Sequence, residues 1–134
     1  MGAVVNPNAT PQDFQLLMFE KKVCAGAEFF QTQTIFDAQE FKKFHDATSK
    51  QGVKVLAGIT LIKSVKFMEF LQALPGVNIP QEVQERIRLA QDPLKEGLKI
   101  CSQTIRELRA FADGVHIMAI GMEEYIPQII ADSL

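Results

Sequence analysis

The 134-residue sequence predicts an α/β fold of four successive strand–helix units whose strands lie parallel in one sheet. Four short, almost continuously apolar runs are typical of strands that are covered on both faces. Each run is followed by a segment whose apolar residues repeat at helical spacing. This alternation indicates either a doubly wound open sheet or part of a β/α barrel, and the pattern alone does not separate the two.

Each predicted element is bounded by residues that favour strand ends or helix caps. The four apolar runs cover residues 2–7, which break at Asn6–Pro7, then 29–33, 54–60 and 115–120. Ser, Thr, Asp and Pro are common at helix starts because they accept the first backbone N–H groups or lack an N–H themselves. On this basis we predict helices that begin at Thr10, Asp37, Ser64, Pro80, Asp92 and about Glu123. The two helices that start at Pro80 and Asp92 occupy one connection between strands.

Composition excludes several classes of function. The formal net charge is -2, and dispersed Lys and Arg leave no basic stripe for nucleic acid. No apolar run reaches the length of a membrane span and no signal peptide is evident, so we expect a cytoplasmic protein. Cys24 and Cys101 lack metal-binding spacing, which predicts reduced thiols and no metal. The length predicts one domain over residues 1–134, and the start at Met1 directly before a strand suggests a truncated chain.

Ligands of either architecture bind at the carboxyl ends of the strands. The residues at those ends are Asn6, Thr32, Gln33, Thr34, Thr60 and Met118 to Gly121. Asp37 is the one carboxylate nearby, and a helix cap explains it. Gln33 offers donors and an acceptor to the edge of a heterocycle, but neighbouring loop backbone is an equally good partner. This edge of the sheet is therefore predicted to bind a ligand without an evident acid or base.

Other polar residues have two interpretations. Gln31 shares a strand face with Gln33, so the two glutamines could line a barrel interior. Lys21 and Lys22 are either solvated charges on a helix or contacts for a diphosphate. His116 lies within an apolar run, which predicts a hydrogen-bonded histidine in the core.

Three segments resemble a known family. EKKVCAGAEFFQTQTIFD at 20–37, LAGI at 56–59 and GVHIMAIG at 114–121 resemble the later half of the methylenetetrahydrofolate reductases, and the likeness extends along almost the whole chain. The resemblance implies that the four strands are strands five to eight of a TIM (β/α)8 barrel. Such a barrel holds FAD, takes hydride from a reduced nicotinamide or another donor, and reduces 5,10-methylenetetrahydrofolate to 5-methyltetrahydrofolate.

The resemblance also implies a cofactor site. Lys22 matches the lysine that contacts the diphosphate side of FAD, and Lys21 occupies a position that is often basic. Asn6 stands where many relatives have a tyrosine near the flavin, and Gln15 stands where they have an acidic residue. Part of the expected contact set is therefore altered.

The substrate contacts implied by the resemblance begin with Gln33, which matches the folate-binding glutamine. Leu71 corresponds to an aromatic residue that packs on the ligand, and Phe67 is the second apolar contact expected. Met122 stands where the family usually has a substrate-binding arginine, and a thioether cannot pair with a carboxylate. The catalytic acid of the family lies in strands that this chain does not contain.

Three hypotheses follow. The chain is the C-terminal half of a folate-dependent flavoenzyme, either as a fragment or as one of two chains that complete a barrel, in a homo-oligomer or with a complementing half-barrel chain. Alternatively, it is a non-catalytic half-barrel that binds a flavin, a folate or another protein. The absence of the catalytic acid and the presence of Met122 in place of the arginine favour this alternative. A self-contained open α/β domain with an unrelated ligand is the third, and the resemblance across all four units opposes it.

Overall fold

The computed structural model describes residues 2–5, 12–74 and 77–134. Four parallel strands form one sheet in the order β1-β2-β3-β4. They are β1 (Gly2–Val5), β2 (Phe29–Thr34), β3 (Lys54–Thr60) and β4 (Gly114–Met118). The predicted fold class is confirmed. A doubly wound sheet reverses its strand order at a switch point, whereas the sequential order found here is that of consecutive units of a β/α barrel.

Six α-helices are present in the described part of the chain. They are α1 (Gln12–Cys24), α2 (Ala38–Thr48), α3 (Val65–Gln72), α4 (Gln81–Leu89), α5 (Pro93–Leu108) and α6 (Ile126–Ser133). The side chains of Asp37, Ser64 and Asp92 accept hydrogen bonds from the first turns of α2, α3 and α5, as their positions predict. The predicted cap at Thr10 and the strand break at Asn6–Pro7 lie outside the described residues.

The last helix starts later than the sequence suggests. A single 3₁₀ turn occupies Glu123–Tyr125, and α6 begins only at Ile126. Pro127 lies in the first turn of α6, where a missing N–H is not needed for the helix. Glu123 and Glu124 therefore precede the helix and do not lie in its first turn.

The helices cover one face of the sheet. Phe30 and Val55 point to this face and are fully buried against Phe19 of α1 and Phe44 of α2. The ring of Phe19 stacks on Phe30 with centroids 4.1 Å apart and meets Phe44 edge to face at 5.6 Å. Aromatic pairs in these geometries add to the stabilisation that apolar burial provides. The large core accordingly lies between the sheet and α1, α2, α5 and α6.

The opposite face of the sheet is open. Val4 is 57% exposed and Phe29 is 39% exposed, although each lies within a strand. A second, smaller core cluster lies away from this face, where Met68 of α3 and Ile87 of α4 pack against Ile100 of α5. The sheet is thus covered by helices on one side only, which is the arrangement of a barrel wall with its inner face uncovered.

Asp113 connects three elements at the amino-terminal end of the sheet. Its Oδ2 accepts a hydrogen bond of 3.0 Å from the backbone N–H of Val55 and lies 3.2 Å from Nε2 of His45. Its Oδ1 lies 3.7 Å from Nζ of Lys54. Burial raises the pKa of the Asp113 carboxyl, but the hydrogen bonds and the neighbouring cations outweigh it, so the pKa lies below its ordinary value.

Replacing Asp113 by asparagine removes this pH-dependent stabilisation. A carboxyl whose pKa is lower in the folded state stabilises the fold above its unfolded pKa, about 3.9. That contribution disappears as the pH falls through the lower folded value. We expect Asp113→Asn to lower the free energy of unfolding by about 1 kcal/mol at pH 7. Urea unfolding from pH 7 to pH 3 should show the difference from the wild type shrinking below about pH 4. Asp46→Asn, which changes an exposed carboxylate on α2, is the control; an equal effect there would contradict the assignment.

Candidate functional site

A cleft of about 370 Å³ lies at the carboxyl ends of β2, β3 and β4. Its walls are mostly aliphatic, and its polar groups all come from strand ends. The lining residues are Gln33, Thr34, Thr60, Leu71, Leu74, Val77, Met118 and Ile120. The side chain of Gln33 is exposed, so its amide is available to a molecule in the cleft. The structure therefore brings Gln33 and Leu71 together with four of the predicted strand-end residues, Thr34, Thr60, Met118 and Ile120.

Phe67 lies on α3 with Leu71 but has different neighbours. It is half-buried and packs against the smaller core cluster. Its ring stacks on Phe70 with centroids 6.2 Å apart, and Nζ of Lys63 lies 5.0 Å from its centroid. The structure therefore does not place Phe67 among the residues that line the cleft with Leu71.

A bulge in β2 shapes the cleft. The register between β2 and β3 slips by one residue between Gln31 and Thr34. At the bulge the backbone N–H of Gly58 donates to the hydroxyl of Thr32 at 2.9 Å, and that hydroxyl donates to the carbonyl of Gln33 at 2.7 Å. The extra residue in β2 removes the backbone carbonyl that would accept from the N–H of Gly58, and the hydroxyl of Thr32 takes its place. The bulge fixes the backbone that carries Gln33 at the strand mouth.

Gly58 is the residue of β3 that the bulge approaches most closely. A β-carbon at this position would lie 2.5 Å from the carbonyl oxygen of Thr32 and 3.2 Å from that of Gln33. Both are backbone atoms and cannot rotate away. A side chain at position 58 is therefore incompatible with the observed geometry of the bulge.

Thr34 carries an unsatisfied hydroxyl beside Gln33. The residue is only 5% exposed, and its Oγ1 has no hydrogen-bond partner among the residues that the structure describes. A buried hydroxyl without a partner costs on the order of 1–3 kcal/mol. A polar group of a bound ligand could supply the partner after rotation of the side chain, because Thr34 lines the cleft.

The cleft can bind but offers no group for proton transfer. None of its lining residues in the described part of the chain is an acid, a histidine or a cysteine. The thiol of Cys101 lies behind the wall and donates to the carbonyl of Thr60 at 3.4 Å. Burial raises the pKa of Cys101 to about 12, so the thiol is neutral and a poor nucleophile. Cys24 is exposed, and neither cysteine forms a disulfide.

The lysine pair lies at another place on the sheet. Nζ of Lys22 donates to the backbone carbonyl of Val4 at 2.6 Å, whereas the cleft is lined by the other three strands. Lys21 is exposed on the same turn of α1. An ammonium has three N–H donors, so this contact leaves capacity for an anion, and the pair fits a diphosphate in charge. Asn6, the third expected cofactor contact, lies outside the described residues.

The structure shows where His116 and Met122 lie, and it corrects the prediction for His116. His116 is not a core histidine: its side chain is exposed, because it alternates onto the uncovered face of β4. Met122 is half-buried and packs against the main core. It therefore brings no polar group to the cleft.

A membrane-spanning helix and a metal-binding cluster are both absent from the described residues 2–5, 12–74 and 77–134. No helix there is long and apolar enough to cross a membrane. No group of three or more acidic, histidine or cysteine side chains there could hold a metal ion.

The chain is similar to proteins of one known family. The family model for methylenetetrahydrofolate reductase matches residues 4–133. A probable methylenetetrahydrofolate reductase (NADPH) from Caenorhabditis elegans is 27% identical over 133 residues, which cover 93% of this chain and 20% of that protein. Methylenetetrahydrofolate reductase 2 from Schizosaccharomyces pombe is 22% identical over 128 residues, covering 84% of this chain and 20% of that protein. The chain thus spans about a fifth of the length of these relatives.

One solved structure has the same fold. An uncharacterized protein from Clostridium thermocellum, described as binding two copies of 5-methyl-5,6,7,8-tetrahydrofolic acid, superposes with a TM-score of 0.71 at 19% identity. The match covers 98% of this chain and 51% of that protein. The four strand–helix units therefore correspond to about half of the larger fold.

The bulge makes Gly58→Ala destabilising. The added methyl group meets two carbonyl oxygens, and overpacking of this kind costs about 1–3 kcal/mol. Denaturant unfolding should show this loss. Gly114→Ala is the matched control on β4, because a β-carbon there would meet only the flexible end of Leu56, 2.8 Å away. Equal losses in the two variants would show that the bulge does not impose the requirement for glycine.

Proposed function

Because the chain belongs to the methylenetetrahydrofolate reductase family, we propose that it is the later half of a reductase barrel and provides its folate-binding cleft. In this proposal residues 1–134 form a single domain that contains strands five to eight. The whole protein is a cytoplasmic flavoenzyme that reduces 5,10-methylenetetrahydrofolate to 5-methyltetrahydrofolate. The observation that carries the proposal is the exposed amide of Gln33 at the mouth of a cleft with aliphatic walls.

The cleft suits a reduced pterin. Such a ring has two flat faces, which aliphatic side chains such as Leu71 and Met118 can cover, and a polar edge with both donors and acceptors. The amide of Gln33 can donate to this edge and accept from it at the same time. The unsatisfied hydroxyl of Thr34 adds a second polar group beside the first. Binding and orientation of the ring are thus the roles that we assign to this chain.

FAD is the cofactor of the proposed enzyme. When bound, it would carry hydride from a reduced nicotinamide to the folate. In this chain Lys22 and Lys21 would hold its diphosphate, and Asn6 would lie near the flavin. The support is the pair of ammonium groups on the last turn of α1, beside β1 at the end of the sheet.

The rest of the barrel must come from outside these four strands. The sheet ends at β1 and β4, and its uncovered face carries exposed apolar residues such as Val4 and Phe29. Free strand edges and apolar faces favour pairing with further strands. We propose that a second copy of the chain or a complementing half-barrel completes the sheet and supplies the acid that the cleft lacks.

A non-catalytic binding module is the second candidate. It is favoured by the absence of titratable side chains from the described walls of the cleft and by the burial of Met122 against the core. This candidate keeps the folate or flavin site and lacks turnover. If the protein, assembled with the half that completes its barrel, binds 5-methyltetrahydrofolate but never reduces 5,10-methylenetetrahydrofolate with FAD and a reduced nicotinamide present, the second candidate is favoured.

The two proposed sites should respond separately to substitution. Gln33→Ala removes the amide at the cleft, so we expect about ten-fold weaker folate binding and unchanged flavin retention. Lys22→Ala removes a cation, so we expect loss of flavin with folate binding retained. Titration with 5-methyltetrahydrofolate and the flavin absorbance that co-elutes in gel filtration measure the two effects.

Matched variants separate binding from folding. Gln31→Ala deletes a glutamine two residues earlier on β2, outside the cleft, and should leave both ligands unaffected. Lys22→Arg keeps a positive charge and should retain flavin better than Lys22→Ala. If Gln33→Ala and Lys22→Ala impair flavin retention equally, or neither impairs its own ligand, the residue assignments are wrong.

A further inference from the structure

Lys63 lies at the rim of the cleft, three residues after β3. Its Nζ is 3.5 Å from the backbone carbonyl of Ile120, one of the residues that line the cleft. The same ammonium group lies 5.0 Å from the ring centroid of Phe67. Attraction between the cation and the aromatic face favours this position of the lysine over a freely extended one.

The backbone around Lys63 is fixed on both sides. Ile62 is almost fully buried, and Gly97 of α5 packs so closely against its carbonyl that any side chain on that glycine would clash. On the other side the hydroxyl of Ser64 accepts a hydrogen bond of 3.0 Å from the N–H of Phe67 and so caps α3. The lysine is therefore presented from a rigid segment.

The charge of Lys63 is not neutralised within the part of the chain that the structure describes. The ion pairs there involve other cations, namely His45, Lys54 and Arg86. Glu123, on the neighbouring loop, uses its Oε1 to accept a hydrogen bond of 3.2 Å from the N–H of Gly121. A half-buried cation without an acidic partner can form a strong charge-assisted hydrogen bond with an anion that enters the cleft.

We propose that Lys63 recognises the glutamate carboxylate of the folate, while Gln33 recognises the pterin. This inference rests on the proposed function and names the part of the ligand that this rim binds. A folate is elongated, with a pterin at one end and carboxylates at the other. The cleft has an amide on one wall, and the ammonium group of Lys63 lies at its rim, so the two ends of the ligand match two different groups. Met122 cannot serve the carboxylate because it packs against the core.

The test compares a folate with a pterin that has no carboxylate. Calorimetric titrations of the natively isolated protein would use 5-methyltetrahydrofolate and 6-methyltetrahydropterin, which lacks the N5 methyl group and the whole p-aminobenzoylglutamate tail. We expect Lys63→Gln to weaken folate binding about ten-fold and to leave pterin binding unchanged. Lys63→Arg should retain most of the folate affinity. Lys66→Gln, which removes an exposed lysine from the next turn, should change neither affinity.

The outcomes separate this inference from the proposed function. A wild-type protein that binds neither ligand overturns both. Equal folate affinities of the wild type and Lys63→Gln overturn only the role of the lysine. Equal weakening of folate and pterin by Lys63→Gln also overturns it, because that result would indicate a general effect on the cleft. If the lysine contacts a carboxylate, added salt should also reduce the difference in affinity between the folate and the pterin. No change with salt would contradict the contact.

Discussion

The geometry of the cleft depends on one hydrogen bond, from the backbone N–H of Gly58 to the hydroxyl of Thr32. Parallel strands in regular register would pair that N–H with a backbone carbonyl. The extra residue in β2 removes this partner, and a buried N–H without one would be costly. The threonine hydroxyl satisfies it and in turn donates to the carbonyl of Gln33. The bulge is thereby stable, and it sets the position of Gln33 at the edge of the cleft.

Much of the fold could be predicted from the sequence, because its signals are local. Caps at Asp37, Ser64 and Asp92 fixed three helix starts, and apolar runs marked every strand. His116 was misplaced because an apolar run indicates burial on both faces, whereas these four strands are covered on one face only. That error has a physical cause: the pattern reflects a closed barrel, and the described residues form only part of one. The apolar residues beside His116 are therefore those expected of a strand that is covered on both faces.

Gln33 could be predicted because it follows directly from its strand, whereas Leu71 lies on α3 and was expected only from the family resemblance. The cleft contains both residues. Lys63 was missed because nothing in its immediate sequence distinguishes it from other lysines. Phe67 is only four residues further along, but the carbonyl of Ile120 comes from the next strand–helix unit and meets the lysine only in the folded protein. The bulge was missed for the same reason, since the register of two strands is a property of the pair.

The lysine pair and the polar groups of the cleft lie at different places on the sheet, so the proposed enzyme would bind its cofactor and its substrate at different strands. The lysine pair lies beside β1 at one end of the strand order, whereas the cleft spans β2 to β4. A cofactor held at β1 would therefore extend across the junction with whatever strand pairs next to β1. In the proposed enzyme the acid needed for reduction would come from the part that pairs with β1, because no described residue that lines the cleft is an acid. In that proposal the cleft would bind and orient the folate, and hydride transfer would require a strand next to β1.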